Sequence, residues 1–213
     1  MSKETTMPGT ITVSGTGRIA VEPDVADLRL GVSVARPTVD SARADAAQAM
    51  TAILAAIKDA GVTSRDIRTT LLSVQPRYDY RDGKPPVLTG YELANVVEVT
   101  IRDLASLGGV IDGSLSAGAT SMDSLSFRVE DPTEAERAAR LAAMAQARSR
   151  ADVLAEAAGV AIAGVGDVVE GGGPQPGYPQ PKAARMLLAD TATPVEGGAT
   201  EVSVSVSVSY RIA

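Results

Sequence analysis

Residues Glu201 to Ile212 read EVSVSVSVSYRI. Val202, Val204, Val206, Val208, Tyr210 and Ile212 fall on one side, and Ser203, Ser205, Ser207, Ser209 and Arg211 on the other. Strict two-residue alternation belongs to a β-strand with one face against a core, and valine suits that pleated surface. Such a strand needs neighbours along its edges and a layer over its apolar face. The rest of the chain must supply both. The serine face is either solvent surface or a contact with another subunit.

The 213-residue chain is long enough for one sizeable domain or two small ones. Its apolar content is ordinary at 45%, but Phe occurs once and Trp not at all. A core made of Ala and Val depends on close backbone approach rather than aromatic bulk. With no Cys, disulfides, zinc-thiolate sites and thiol nucleophiles are excluded. With no His, the commonest general base and metal ligand are missing, and a Ser-His-Asp triad is impossible. A formal charge of −6 argues against nucleic acid as a partner. No apolar run reaches membrane-spanning length, so no membrane insertion is expected. The polar start MSKETTMPGT lacks an apolar signal core. It predicts a cytoplasmic protein, or a periplasmic or secreted one if a leader has been removed.

In chain order, Met1–Gly9 reads as a disordered tail, and the remaining residues, 10–213, as one domain. Ile11–Val21 and Val25–Val34 are strands that the Glu22-Pro23-Asp24 turn would join as an antiparallel hairpin. Thr38–Ala60 is a helix with an Ala/Ile stripe, closed by Gly61. Asp66–Tyr80 and Tyr91–Ile101 are strands around a tip at Asp82-Gly83. Asp103–Ala117 is a short helix whose Gly108-Gly109 suggests close packing, and Ser121–Glu130 a strand. Asp131 caps a long helix that ends at Gly159. Its expected buried stripe is Leu141, Met144, Ala145, Ala151, Leu154 and Ala158. Val165–Glu170 is a short strand, Gly171–Lys182 a flexible Pro/Gly loop, and Ala183–Asp190 stays undecided between strand and helix. The fold class is α+β, with a largely antiparallel sheet, two long Ala-rich helices on one face and a shorter third helix.

Several stretches carry a family likeness. They are ITVSGTG from Ile11 with Pro23-Asp24, TTLLSVQPRY from Thr69, Gly90-Tyr91 leading to Asn95, Ala117-Gly118-Ala119 before Phe127, the Ala-rich last helix, and the Pro194–Gly197 turn into the closing strand. In that order and spacing the chain resembles the SIMPL domain proteins, formerly domain of unknown function 541. These include bacterial periplasmic immunogenic and oxidative-stress-associated proteins. The resemblance implies an α+β fold and assembly into homo-oligomers. It carries over no catalytic residue, no cofactor and no metal site.

Two local motifs have other readings. Gly15-Thr16-Gly17-Arg18-Ile19-Ala20 spells a dinucleotide fingerprint, but a proline turn and a second strand follow where a helix must begin. A strand bulge is the better reading. Asp24 with Asp27, and Asp79 with Asp82 and Glu92, are carboxylates near turns without the order of a calcium loop. The remaining concentration is aromatic. Arg77, Tyr78, Tyr80, Arg81 and Tyr91 flank the central hairpin, and Tyr178 lies in the Pro/Gly loop. Tyr and Arg are favoured at interfaces, so these six form the candidate interaction surface. The expected function is a non-enzymatic, self-associating scaffold or stress-related interaction protein. The alternatives are a small-molecule or peptide carrier, or an enzyme using carboxylate, Ser or Lys chemistry.

Overall fold

The computed structural model describes residues 9–81, 85–176 and 193–213. The strands are β1 (Thr10–Val21), β2 (Val25–Arg36), β3 (Ile67–Asp79), β4 (Val87–Ile101), β5 (Ser121–Arg128), β6 (Ile162–Pro176) and β7 (Thr200–Ile212). The helices are α1 (Val39–Asp59), α2 (Leu107–Ser116) and α3 (Thr133–Ala158). All strand pairs are antiparallel, so the α+β class holds. The strands form two sheets rather than one, ordered β1-β7-β6 and β3-β4-β2-β5, and the chain divides into two compact units accordingly.

The expected β1–β2 hairpin does not form. β1 pairs with β7, and β2 lies between β4 and β5. Tight hairpins need positive-φ turn residues such as Asn-Gly, and Glu22-Pro23-Asp24 supplies none. The two long helices are likewise separated, α3 packing on β1 and β7, and α1 on β2 and β4.

In the unit of β1, β6, β7 and α3, the valine face of β7 is buried as its alternation requires. Its cover is the Ala139, Ala143, Ala147, Ala151 and Ala155 stripe of α3. That stripe differs from the expected one. Ala151 is buried, but Leu141 and Leu154 are 62% and 49% exposed. The reason lies in β1. A Cβ at Gly15 would run into the Ala143 carbonyl oxygen, and one at Gly17 into that of Ala139. Helix backbone lies directly on strand backbone there, and only a methyl-sized side chain fits between. The Gly15-x-Gly17 motif is therefore a helix-docking notch and not the expected bulge, since β1 keeps an unbroken register with β7 through both glycines. β6 continues to Pro176, into the segment expected to be loop, with register shifts between Gly171 and Gln175. It is an edge strand, where residues lacking an N–H are tolerated. The remainder of that loop, the segment 183–190, the 82–83 turn and most of the N-terminal tail lie outside the described residues. Gly9 is described, and its carbonyl accepts a hydrogen bond from the Ile212 N–H at 3.1 Å.

Asp131 acts one position earlier than a true cap. Its Oδ1 accepts from the Thr133 N–H at 3.1 Å, while Pro132 occupies the N-cap. The Thr133 hydroxyl and N–H hold its carboxyl below the ordinary range. Gly159 ends α3 at φ 68°, as a left-handed C-cap should.

In the other unit, Ala26, Leu28, Leu30 and Val32 of β2 and Leu93, Val97, Val99 and Ile101 of β4 meet Ala42, Ala46, Met50, Ile53 and Ile57 of α1. Leu107, Val110 and Ile111 of α2 complete this core. Thr38 caps α1 by accepting from the Ser41 N–H at 3.2 Å. The close contact expected at the glycine pair of α2 is not at Gly109, where an added Cβ would have nothing within 4 Å. Residues 193–197 are tied to α2, because the Thr193 N–H and hydroxyl donate to Asp112 at 3.1 and 2.6 Å.

Asp66 accepts from the Thr63 hydroxyl at 2.6 Å and is paired with Arg102. The Thr63 hydrogen bond first, and then Arg102, hold its carboxyl below the ordinary 3.8. A depressed carboxyl stabilises the fold above its unfolded pKa, and the contribution is lost as pH falls through the folded value. The stability gap between wild type and Asp66→Asn, measured by urea melts, is therefore expected to be full at pH 6–7 and to shrink below about pH 4. An unchanged gap at pH 3 would contradict this.

Candidate interaction surface

The β3–β4 hairpin is longer than the helix that covers its sheet. At about 3.4 Å per residue the 15 residues of β4 reach about 50 Å, while the 21 residues of α1 reach about 32 Å. One end of the hairpin must overhang. β3 is also an edge strand of its sheet and lies outside the main α1 contacts, which are to β2 and β4.

Register places the side chains. Leu72 lies opposite Asn95, Val74 opposite Leu93 and Pro76 opposite Tyr91. Leu93 in turn pairs with Val34, and Asn95 with the buried Val32. Leu72, Val74 and Pro76 thus continue the core face of the sheet beyond its helix layer. A bulge between Arg77 and Tyr78 follows, with Gly90 at φ 148° in the partner strand. Past it Tyr78 lies opposite Leu88. Tyr78 and Tyr80 share a face two residues apart, their ring centroids 6.3 Å apart and tilted by 58°. Tilted aromatic pairs at this distance are favourable.

The exposures are large for apolar groups, at 67% for Leu72, 44% for Val74, 45% for Tyr78, 76% for Tyr80 and 47% for Leu88. Val87 adds 60% on the same hairpin. Contiguous exposed apolar surface marks an interaction site.

Of the six residues singled out from sequence, five belong to this hairpin. Tyr78 and Tyr80 stand in contact on the exposed face. Tyr91 is half-buried at its base, opposite Pro76 and Arg36. Arg77 is exposed, and its carbonyl accepts from the Thr89 hydroxyl at 3.1 Å. Arg81 is held by Asp79 at 2.7 Å, which turns its charge toward its own strand. Tyr178 lies outside the described residues. Sequence reasoning missed Leu72, Val74, Val87 and Leu88. The available signal was Leu71-Leu72, two adjacent apolar residues that put apolar side chains on both faces of an edge strand, more than one covering layer can bury.

Of the carboxylates near turns, Asp27, Asp79 and Glu92 are occupied, and Asp82 lies outside the described residues. Asp27 accepts from the Thr100 hydroxyl at 2.8 Å and pairs with Arg128 at 2.7 Å. Glu92 accepts from the Ser33 hydroxyl at 2.7 Å. Among the described residues no group of three or more His, Cys, Asp or Glu could hold a metal ion. A shallow groove of 510 Å³ runs along β1 and α3, lined by Thr12, Val13, Ser14, Ser149, Arg150, Val153 and Leu154. It contains no carboxylate and no lysine. No described helix is long and apolar enough to cross a membrane.

The fold and surface define an α+β protein of two sheet-and-helix units, one of them carrying an overhanging aromatic hairpin. The chain belongs to the SIMPL family, described as a protein family of unknown function (DUF541), whose model matches residues 11–210. It is 34% identical to the 26 kDa periplasmic immunogenic protein of Brucella melitensis biotype 1, over 98% of this chain and 86% of that one. It is 35% identical to the uncharacterized protein YggE of Escherichia coli K12, over 68% of this chain and 58% of YggE.

Proposed function

We propose that this SIMPL protein is a non-enzymatic, self-associating interaction protein, a scaffold that docks through the exposed face of the β3–β4 hairpin. The observation that carries this is the apolar face of Leu72, Val74, Tyr78, Tyr80 and Leu88, which extends the core side of a sheet past its helix. An uncovered face of this kind adds nothing to the fold of a monomer and lowers its solubility. Its burial between copies removes that cost, with Tyr78 and Tyr80 as rigid anchors. The name of the Brucella relative supports a periplasmic location over the cytoplasmic one expected from the N-terminus. A role in stress resistance is an extension of the same reading.

Light scattering coupled to size exclusion tests the association. The wild type is expected at a multiple of 21.8 kDa. Leu72→Asp/Tyr80→Asp is expected to shift it toward the single-chain mass without changing the circular dichroism spectrum. A wild type that stays at the single-chain mass up to several hundred micromolar would overturn the self-association.

A further inference from the structure

Among the described residues the two sheets leave four edge strands, β1 and β6 in one and β3 and β5 in the other. An edge offers its row of free N–H and C=O groups to any extended chain. Three of these edges are irregular. β3 shifts register against β4 at Thr69/Leu71 and Arg77/Tyr78, β5 against β2 near Arg29/Leu30, and β6 against β7 at three points. Bulges turn an edge away from a flat partner. β1 has none. Its 12 residues run opposite β7 in unbroken register from Thr10↔Arg211 to Val21↔Thr200.

The hydrogen bonds show which groups of β1 face outward. The Thr16 N–H donates to Gln146 Oε1 at 2.8 Å, and Arg150 Nη1 donates to the Ser14 carbonyl at 2.7 Å. Even-numbered residues therefore turn their backbone away from β7. The side chains agree, since the hydroxyls of Thr12 and Ser209 meet at 2.8 Å and those of Thr16 and Ser205 at 3.2 Å. Such close side-chain contact belongs to the non-hydrogen-bonded pairs of an antiparallel ladder. Gln146 and Arg150 are one turn apart on α3 and reach over the same edge. One supplies an acceptor and the other a donor, as the backbone of a next strand would.

We infer that the Thr12–Thr16 edge of β1 is a strand-pairing surface for a second copy of this chain, held closed by Gln146 and Arg150 of α3. The edge is self-complementary. Antiparallel pairing about Ser14 sets Thr12 opposite the second copy's Thr16 and Ser14 opposite its counterpart, with no like charges opposed. The groove beside Thr12–Ser14 offers Val153 and Leu154, 63% and 49% exposed, to the side chains of an added strand. The cap restricts growth to other surfaces, so that an assembly stays finite.

The test is made in the Leu72→Asp/Tyr80→Asp background, so that hairpin association and edge pairing are read separately. Gln146→Ala/Arg150→Ala is expected to raise the mass at least twofold with increasing concentration. It should also speed hydrogen exchange of the Thr16 amide by roughly fivefold or more. Adding Ser14→Pro removes an outward N–H at no cost to the β1–β7 ladder, and is expected to restore the starting mass. The single variant Gln146→Ala, which keeps a strong helix former in α3, carries the same reading if the double variant does not fold. A folded uncapped variant that keeps the starting mass overturns the proposal, whatever else it binds. So does a mass increase that Ser14→Pro leaves in place.

Discussion

Gly17→Ala is expected to destabilise the β1-β7-β6 unit by about 3 kcal/mol, the upper end of ordinary overpacking costs. The substitution adds one methyl group. In an open strand it would be neutral or favourable, because glycine loses more conformational freedom on folding than alanine does. Here the new Cβ meets the carbonyl oxygen of Ala139 and lies 2.7 Å from the Ala143 nitrogen. Both are helix backbone, so no side chain can rotate away. α3 must lift, and lifting it uncovers Val204, Val206 and Val208, which are at most 5% exposed. Gly15→Ala meets the same obstacle at Ala143 and Ala147. Urea melts compared with wild type measure the effect. A Gly17→Ala protein within 0.5 kcal/mol of wild type would mean that the helix does not rest on the strand.

This notch explains what could and could not be read from the sequence. The closing strand was legible because a two-residue period over Val202–Tyr210 admits one structure, and its valine face is buried as the pattern requires. The helices were legible as helices. Their buried faces were less so, because hydropathy ranks Leu141 and Leu154 above Ala143 and Ala147, whereas the space over Gly15 and Gly17 admits only the smaller residue. A nucleotide fingerprint and a docking notch share the Gly-x-Gly spelling, since each serves a close backbone approach. Division into two sheets was not legible. β1 pairs with β7 almost 200 residues away, and no local signal encodes that partner. On the candidate surface, the tyrosines were visible because aromatics are scarce in this chain. The neighbouring Leu72 and Val74 were not, because their exposure depends on where α1 ends.

The second large effect is a contrast between two aliphatic residues of the same unit. Ile53→Ala is expected to cost about 2–5 kcal/mol, whereas Leu72→Ala is expected to stay within about 0.5 kcal/mol in dilute solution. Ile53 is 0% exposed, in the core that α1 forms with β2, β4 and α2. Truncation loses the transfer free energy of three carbons and leaves a cavity that two helices and a sheet cannot close. Leu72 lies on a strand of the same sheet, opposite Asn95, but is 67% exposed. Folding removes little of its surface from water, so its truncation removes little stability. The same Leu72→Ala protein is expected to lose association at concentrations where the wild type assembles. Dilute urea melts and concentrated light scattering, made on one pair of samples, separate the two roles. A Leu72→Ala variant losing more than about 1.5 kcal/mol in dilute solution would place Leu72 in the core, and would remove the physical ground for reading the overhang as an interaction surface.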